Sequence, residues 1–204
     1  MKTVLMRPLL AAAAFSLAAC SQPAPAAMSK LDGDWTVDGA ASRFSFVTVK
    51  SGTLAEAHTF NGLSGRVTAN GDAEIDIPLA TVETNIDIRN ERMREFLFET
   101  GTYPEAKVAA KLDPAVFTDL SVGDAVNVPV TATLNLHGET QEIDTDLLVT
   151  RIGADKVQVG TPVPIIVNAA DFGLDAGVEK LRELANLPGI TPDVPVTFSI
   201  VFTR

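Results

Sequence analysis

The chain has 204 residues, 46% of them hydrophobic, with 16 Lys and Arg against 26 Asp and Glu for a formal charge of −10. Taken as a whole, such an acidic chain is repelled by nucleic acid and by anionic lipid surfaces. The lone cysteine, Cys20, excludes an intramolecular disulfide, and the length suits one domain large enough to bury a core.

Lys2 and Arg7 form a short basic start, Leu9 to Ala18 is a run of apolar and small residues, and Leu17-Ala18-Ala19-Cys20 follows at once. This pattern predicts a signal peptide over residues 1–19 that ends in a lipobox. The apolar run is about half of the roughly 18 residues a spanning helix needs, so the segment reads as an export signal and not as a retained membrane helix. Cys20 resembles the lipidated cysteine of bacterial lipoproteins, and the resemblance implies an acylated mature N-terminus. With about 0.8 kcal/mol per buried methylene, several acyl chains make a permanent anchor where one holds only marginally. Ser21 stands where an aspartate would favour inner-membrane retention, so the same resemblance implies the outer membrane, on its periplasmic face. An ordinary signal peptide with an incidental cysteine is the alternative. Residues 20–32 are rich in Pro, Ala and Ser and read as a tether, which at about 3.1 to 3.5 Å per residue reaches up to roughly 40 Å. One domain, residues 33–204, follows.

Period two dominates that domain. Phe44 and Phe46 alternate with Arg43 and Ser45, Ala73, Ile75, Ile77 and Leu79 with Asp72, Glu74 and Asp76, and Val108 and Ala110 with Lys107 and Lys111. Val126, Val128, Val130, Ala132, Leu134 and Leu136 share one face of a longer run, as do Val194, Val196, Phe198, Ile200 and Phe202 near the C-terminus. Turn signals at Asn70-Gly71-Asp72, Val122-Gly123-Asp124, His137-Gly138-Glu139 and Gly153-Ala154-Asp155 separate these half-buried antiparallel strands. An all-β fold with short helices is predicted, of some seven or eight strands. Long even alternation favours closure into a barrel, with a sandwich as the alternative.

Two stretches carry helical spacing. Ile88 to Thr100 sets Ile88, Met93, Phe96 and Leu97 among charged residues, and Asp175 to Leu187 does the same with Val178, Leu181, Leu184 and Ala185. The first is expected to lie across a barrel end as a lid or rim. Its Arg89, Arg92 and Arg94 have two readings. They pair with Glu91, Glu95 and Glu99 on a solvated face, or they turn toward the barrel mouth and hold an anionic head group. Trp35, the only tryptophan, plugs one barrel end or lines a pocket. His58 and His137 sit in no metal-ligand pattern, no nucleophile or phosphate-loop motif occurs, and neither catalytic residues, a metal nor a cofactor is expected.

Trp35-Thr36-Val37-Asp38, Ser42, Phe46 and Phe60-Asn61-Gly62-Leu63-Ser64-Gly65 resemble the opening of the YceI-like family. Val82-Glu83-Thr84, Arg89 through Phe98, Tyr103-Pro104, Ala132 to Gly138 and Asp171-Phe172-Gly173 resemble its later segments in order and spacing. The resemblance implies an extended, lipocalin-like antiparallel barrel around an elongated apolar pocket that binds an isoprenoid lipid of the polyprenyl phosphate or quinone type, without catalytic residues. It places Arg89, Arg92 and His137 near the ligand's polar end. The chain departs from the common pattern at Lys50-Ser51-Gly52 and at Asn90. Phe44, Phe46, Phe60, Ile75, Ile77, Leu134, Leu136, Phe198 and Ile200 are the expected lining, with Arg89 and Arg92 as head-group candidates and Cys20 as the lipidation site. The expected partners are thus the isoprenoid and a membrane held through the acyl anchor, with no nucleic acid. The rivals are an interaction lipoprotein with a filled barrel, and a lipid-modifying enzyme with His58 or His137 as base.

Overall fold

The computed structural model describes residues 31–204; the expected signal peptide, Cys20 and nearly all of the tether lie outside the described residues. The strands in chain order are β1 (Trp35–Val37), β2 (Arg43–Lys50), β3 (Leu54–Phe60), β4 (Ser64–Val67) and β5 (Asp72–Pro78). Helix α1 (Asp87–Arg92) precedes β6 (Glu105–Lys111), β7 (Ala125–Leu136), β8 (Glu139–Gly153), β9 (Lys156–Gly160) and β10 (Ile165–Asn168). Helix α2 (Asp175–Leu184) and β11 (Asp193–Thr203) complete the chain. Among the described residues, no helix is long and apolar enough to cross a membrane.

The predicted alternation closes on itself as a barrel. β1, β4, β5, β6, β7, β8, β9 and β11 follow one another antiparallel around a ring, and β1 against β11 shuts it, with Thr36 opposite Thr203 and Val37 opposite Phe202. Closure leaves no open sheet edge in that ring, which is why a barrel and not a sandwich satisfies these strands. The strand count exceeds the seven or eight expected because three wall lines are broken by kinks. β1 and β2 both run along one edge of β11, and Ser42 holds the break between them: its hydroxyl donates to the Asp38 carbonyl at 2.7 Å and accepts from the Val201 amide at 3.0 Å. β3 and β4 continue each other around Asn61-Gly62-Leu63, where Gly62 takes a φ of 66° that favours glycine. β9 and β10 continue each other along the other edge of β11.

The register also orients the barrel. β11 begins beside β2, with Val196 opposite Phe46, and ends beside β1. The top therefore holds the β2–β3 hairpin, α1 and α2, and the base holds residue 31, the loop after β6 and the C-terminus. At the base Trp35 is buried, with the Arg204 guanidinium 5.2 Å above its ring. Arg151, also buried there, donates to the carbonyls of Leu120, Gly153 and Ala154 and fastens the loop between β6 and β7.

The first helical stretch differs from the single helix expected over 88–100. α1 stops at Arg92, and Met93–Leu97 widens into a π-turn, with the Phe98 amide bonded to the Met93 carbonyl at 2.9 Å. The extra residue per turn lets Met93, Leu97 and Phe98 all point into the core, which regular α-helical spacing does not allow. Ile88, expected on the apolar face, is 52% exposed at the rim. α2 ends three residues earlier than the spacing predicts. Asn186 takes a φ of 51°, and the Asn186 and Leu187 amides donate to the carbonyls of Glu183 and Arg182, the pair of hydrogen bonds that makes a Schellman stop. Gly177 seats α2 on the π-turn, because a Cβ there would lie 2.6 Å from the Phe96 carbonyl oxygen.

Candidate functional site

The barrel is hollow. A cavity of about 620 Å³ runs from the base at Trp35 to the top between α1, the β2–β3 hairpin and the loop after α2. Every expected lining residue stands in its wall: Phe44 and Phe46 on β2, Phe60 on β3, Ile75 and Ile77 on β5, Leu134 and Leu136 on β7, Phe198 and Ile200 on β11. Aromatic rings form one side. Phe60 packs against Phe44 at 5.8 Å, Phe46 at 5.2 Å and Phe98 at 5.6 Å between ring centroids. Trp35 meets both of its readings, since it closes the base and lines the cavity floor.

Polarity is graded along the axis. On β2 the inward series runs Phe44, Phe46, Thr48, Lys50, and on β3 it runs Phe60, His58, Glu56, with Phe46 opposite His58 and Thr48 opposite Glu56. The same alternation that puts phenylalanines deep thus puts polar groups at the mouth. Among the described residues, the charged lining consists of Lys50, Glu56, Arg89 and Arg92, all at this end.

These side chains interlock. The Glu56 carboxylate receives Lys50 Nζ at 2.6 Å and Arg89 Nη1 at 2.8 Å, while Arg89 Nη2 donates to the Thr84 carbonyl at 2.6 Å. The hydrogen bond from Lys50 holds the Glu56 carboxyl below its ordinary pKa, with Arg89 adding to the effect. Arg89 Nε is buried without a hydrogen-bond partner, and so is His58 Nδ1, whose ring bonds through Nε2 to the Thr48 hydroxyl at 2.9 Å. Both residues belong to the cavity lining, and two buried polar atoms left unpaired side by side are unusual in a finished core. α1 is positioned for this by Asn90, buried beneath it, whose Oδ1 accepts from the Thr84 amide at 2.9 Å and hydroxyl at 2.6 Å.

The solvated-face reading of the arginines is corrected here. Among the described residues none of Arg89, Arg92 and Arg94 forms an ion pair with Glu91, Glu95 or Glu99. Arg89 crosses to β3 because the cavity mouth offers it Glu56, and Arg92 lines the mouth while donating to the Leu184 carbonyl at 3.3 Å. Arg94 turns outward to the Ala80 carbonyl. The placement of His137 near a ligand's polar end is also corrected. It sits in the β7–β8 turn outside the cavity lining, 3.0 Å from Glu99 and with its ring 4.3 Å from that of Tyr103, because the turn's left-handed φ of 55° swings it against Tyr103. Glu56 was missed. Its signal was its phase, two residues from His58 and four from Phe60 on the inward face.

Burial holds the His58 imidazole below its ordinary 6.5, and the neighbouring Arg89 charge adds to this. As pH falls the unfolded chain therefore takes up a proton before the folded one does. His58 contributes no penalty above about pH 6.5, and stability is lost progressively below it, toward the lower folded value. Urea titrations from about pH 7.5 to about 5 are expected to show a steeper loss in wild type than in His58→Gln. Parallel curves would mean the imidazole is protonated freely in the folded barrel.

No group of three or more His, Cys, Asp or Glu side chains among the described residues could hold a metal ion. The YceI-like domain matches residues 35–202. Among solved structures, a polyisoprenoid-binding domain from Saccharophagus degradans, implicated in plant cell wall breakdown, is 42% identical with a TM-score of 0.82, over 83% of this chain and 98% of that one. BcnA of Burkholderia cenocepacia shares the fold at 19% identity and a TM-score of 0.63, over 81% of this chain and 98% of that one. The Campylobacter jejuni YCEI protein shares it at 14% identity and a TM-score of 0.53, over 72% of this chain and 84% of that one. No curated protein matches the chain in sequence.

Proposed function

The chain belongs to the YceI-like family, and from that premise we propose that it binds or carries an isoprenoid lipid, of the polyprenyl phosphate or quinone type, inside the barrel. The observation that carries this reading is the cavity itself: about 620 Å³, apolar from floor to shoulder, with charge only at the mouth among the described residues. An eight-stranded barrel is just wide enough for one slender ligand, and this volume falls in the range of small-molecule sites. A long hydrocarbon gains by burial along the shaft while its head group stays at the polar end. The relative at 42% identity is itself a polyisoprenoid-binding domain, which supports the same ligand class here. A filled barrel, the premise of the interaction-protein rival, does not fit this interior.

The decisive experiment is native mass spectrometry of the protein purified from its own membranes, with chemical analysis of the released lipid. An unaltered isoprenoid bound one to one is the expected result. An empty barrel or an ordinary phospholipid overturns the ligand class, and a chemically altered isoprenoid whose alteration disappears in His58→Ala returns the enzyme reading.

The proposal includes location. Acyl chains on Cys20 anchor the barrel at the periplasmic face of the outer membrane, with residues 21–32 as the tether. Support comes from the lipobox Leu17-Ala18-Ala19-Cys20 and from Ser21. Cys20→Ser removes the acylated thiol and is expected to move the protein out of the outer-membrane fraction. Wild-type fractionation and cleavage of that variant would defeat the anchor.

A further inference from the structure

The top of the barrel does more than open the cavity. Three elements frame it, and each exposes a large apolar side chain: Leu54 at the tip of the β2–β3 hairpin, Ile86 and Ile88 at the start of α1, and Leu184 at the end of α2. Leu54 and Ile88 are each 52% exposed and Ile86 is 45% exposed. Ile86 and Ile88 also line the cavity, so apolar surface continues from the shaft onto the outside. Cations stand just inside this rim. Lys50, Arg89 and Arg92 face one carboxylate, Glu56, in a chain whose overall charge is −10. Around them the outer surface of this end carries Asp87 and Glu91 on α1 and Glu179 and Glu183 on α2, all exposed and outside the lining. The base exposes Val116, Val122 and Ile152 as well, but none of them lines the cavity.

We infer that the mouth is a membrane-docking face, set end-on against a phospholipid bilayer so that lipid passes between bilayer and barrel without crossing water. The inference rests on the lipid-binding reading for its purpose and on the rim for its geometry. Each methylene transferred to water lowers a lipid's free concentration by about fourfold, so a long isoprenoid released into solution is never recaptured at a useful rate. A carrier for such a ligand has to bring its opening to the phase that stores it. Exposed isoleucine and leucine at a rim insert into the interfacial region, and cations just behind them meet lipid phosphates. Continuity with the shaft selects this end over the base, because Ile86 and Ile88 are both exposed and part of the lining, whereas Val116, Val122 and Ile152 are outside it.

The test uses the full chain with one added tryptophan and vesicles of phosphatidylglycerol and brominated phosphatidylcholine, whose bromines quench indoles that enter the bilayer. The emission of Trp35, buried at the base, is subtracted from the parent protein. Ile88→Trp is expected to shift to shorter wavelength and lose most of its emission with brominated vesicles, while Val122→Trp at the base is unaffected. Attachment through the N-terminus alone would leave the two alike, and equal quenching or none at position 88 overturns the inference. A second measurement follows isoprenoid delivery from loaded protein to acceptor vesicles. Leu54→Asn with Leu184→Asn, both outside the cavity lining, is expected to slow delivery about tenfold without changing lipid retention in detergent micelles. Wild-type delivery by that variant overturns docking alone. Wild-type protein that retains no isoprenoid in micelles overturns the binding reading instead, and the quenching result then still decides whether the rim meets a bilayer.

Discussion

Leu134→Trp and Ile200→Trp are expected to fold as wild type does and to emerge from purification without lipid. Leu134 on β7 and Ile200 on β11 are buried, and both side chains line the shaft. In a filled barrel an added indole displaces packed neighbours and costs about 1 to 3 kcal/mol. In a hollow one the ring enters empty space, so the cost is below about 1 kcal/mol while the passage for a hydrocarbon chain is blocked. Stability and retention therefore move in opposite senses under the two architectures. Retention is read by mass spectrometry and stability by urea denaturation, with Leu148→Trp, at a position exposed on the outer wall, as the control that keeps its lipid. Undiminished lipid in both inward variants would place the ligand elsewhere, and a large loss of stability would show a packed interior.

Arg89→Ala is expected to weaken binding of an anionic isoprenoid by ten- to about a hundredfold, from the roughly 1.5 to 3 kcal/mol of a hydrogen bond to a charged group. A neutral quinone of the same chain length loses much less, because its carbonyl forms only an uncharged acceptor bond. The direction is reinforced by what remains. Without Arg89 the Glu56 carboxylate keeps only Lys50, and its charge turns against an incoming anion. Glu56→Gln accordingly shifts the other way, tightening the anion while leaving the quinone unchanged. Arg92→Ala has the smaller effect of the two arginines, since that side chain also spends a donor on the Leu184 carbonyl near solvent. Paired titrations with a phosphorylated and a neutral isoprenoid read all of these, with thermal unfolding to verify that α1 stays seated when Arg89 is lost. Equal affinities in wild type and Arg89→Ala would leave that arginine the purely structural task of bridging α1 to β3.

Strand phase was legible in the chain alone. Alternation is a property of neighbouring residues, so Val128, Val130, Leu134 and Leu136 on β7, and Phe198 and Ile200 on β11, had to share the inward face whatever the rest of the molecule did. The kink at Asn61-Gly62 was not among the turn signals read from the chain, although Asn-Gly is a turn dipeptide and Gly62 takes a positive φ. The split of 88–100 into α1 and a π-turn was illegible, because helical spacing and its one-residue expansion differ only in which side chains the core accepts. The mouth depended wholly on tertiary structure. Arg89 and Glu56 lie 33 residues apart and meet only when α1 folds over the end of β3, so local spacing offered Arg89 the nearer glutamates of its own helix. His58 and His137 were both lone histidines without a ligand pattern, the second in a predicted turn, and only the folded structure put one inside the cavity and the other out. The sequence by itself determined an alternating antiparallel chain with a particular inward face, and left barrel and sandwich both open. Whether that face packs on itself or encloses space was decided by the tertiary structure alone, because a filled barrel and a hollow one demand the same apolar alternation and differ only in how far apart the opposite walls are held.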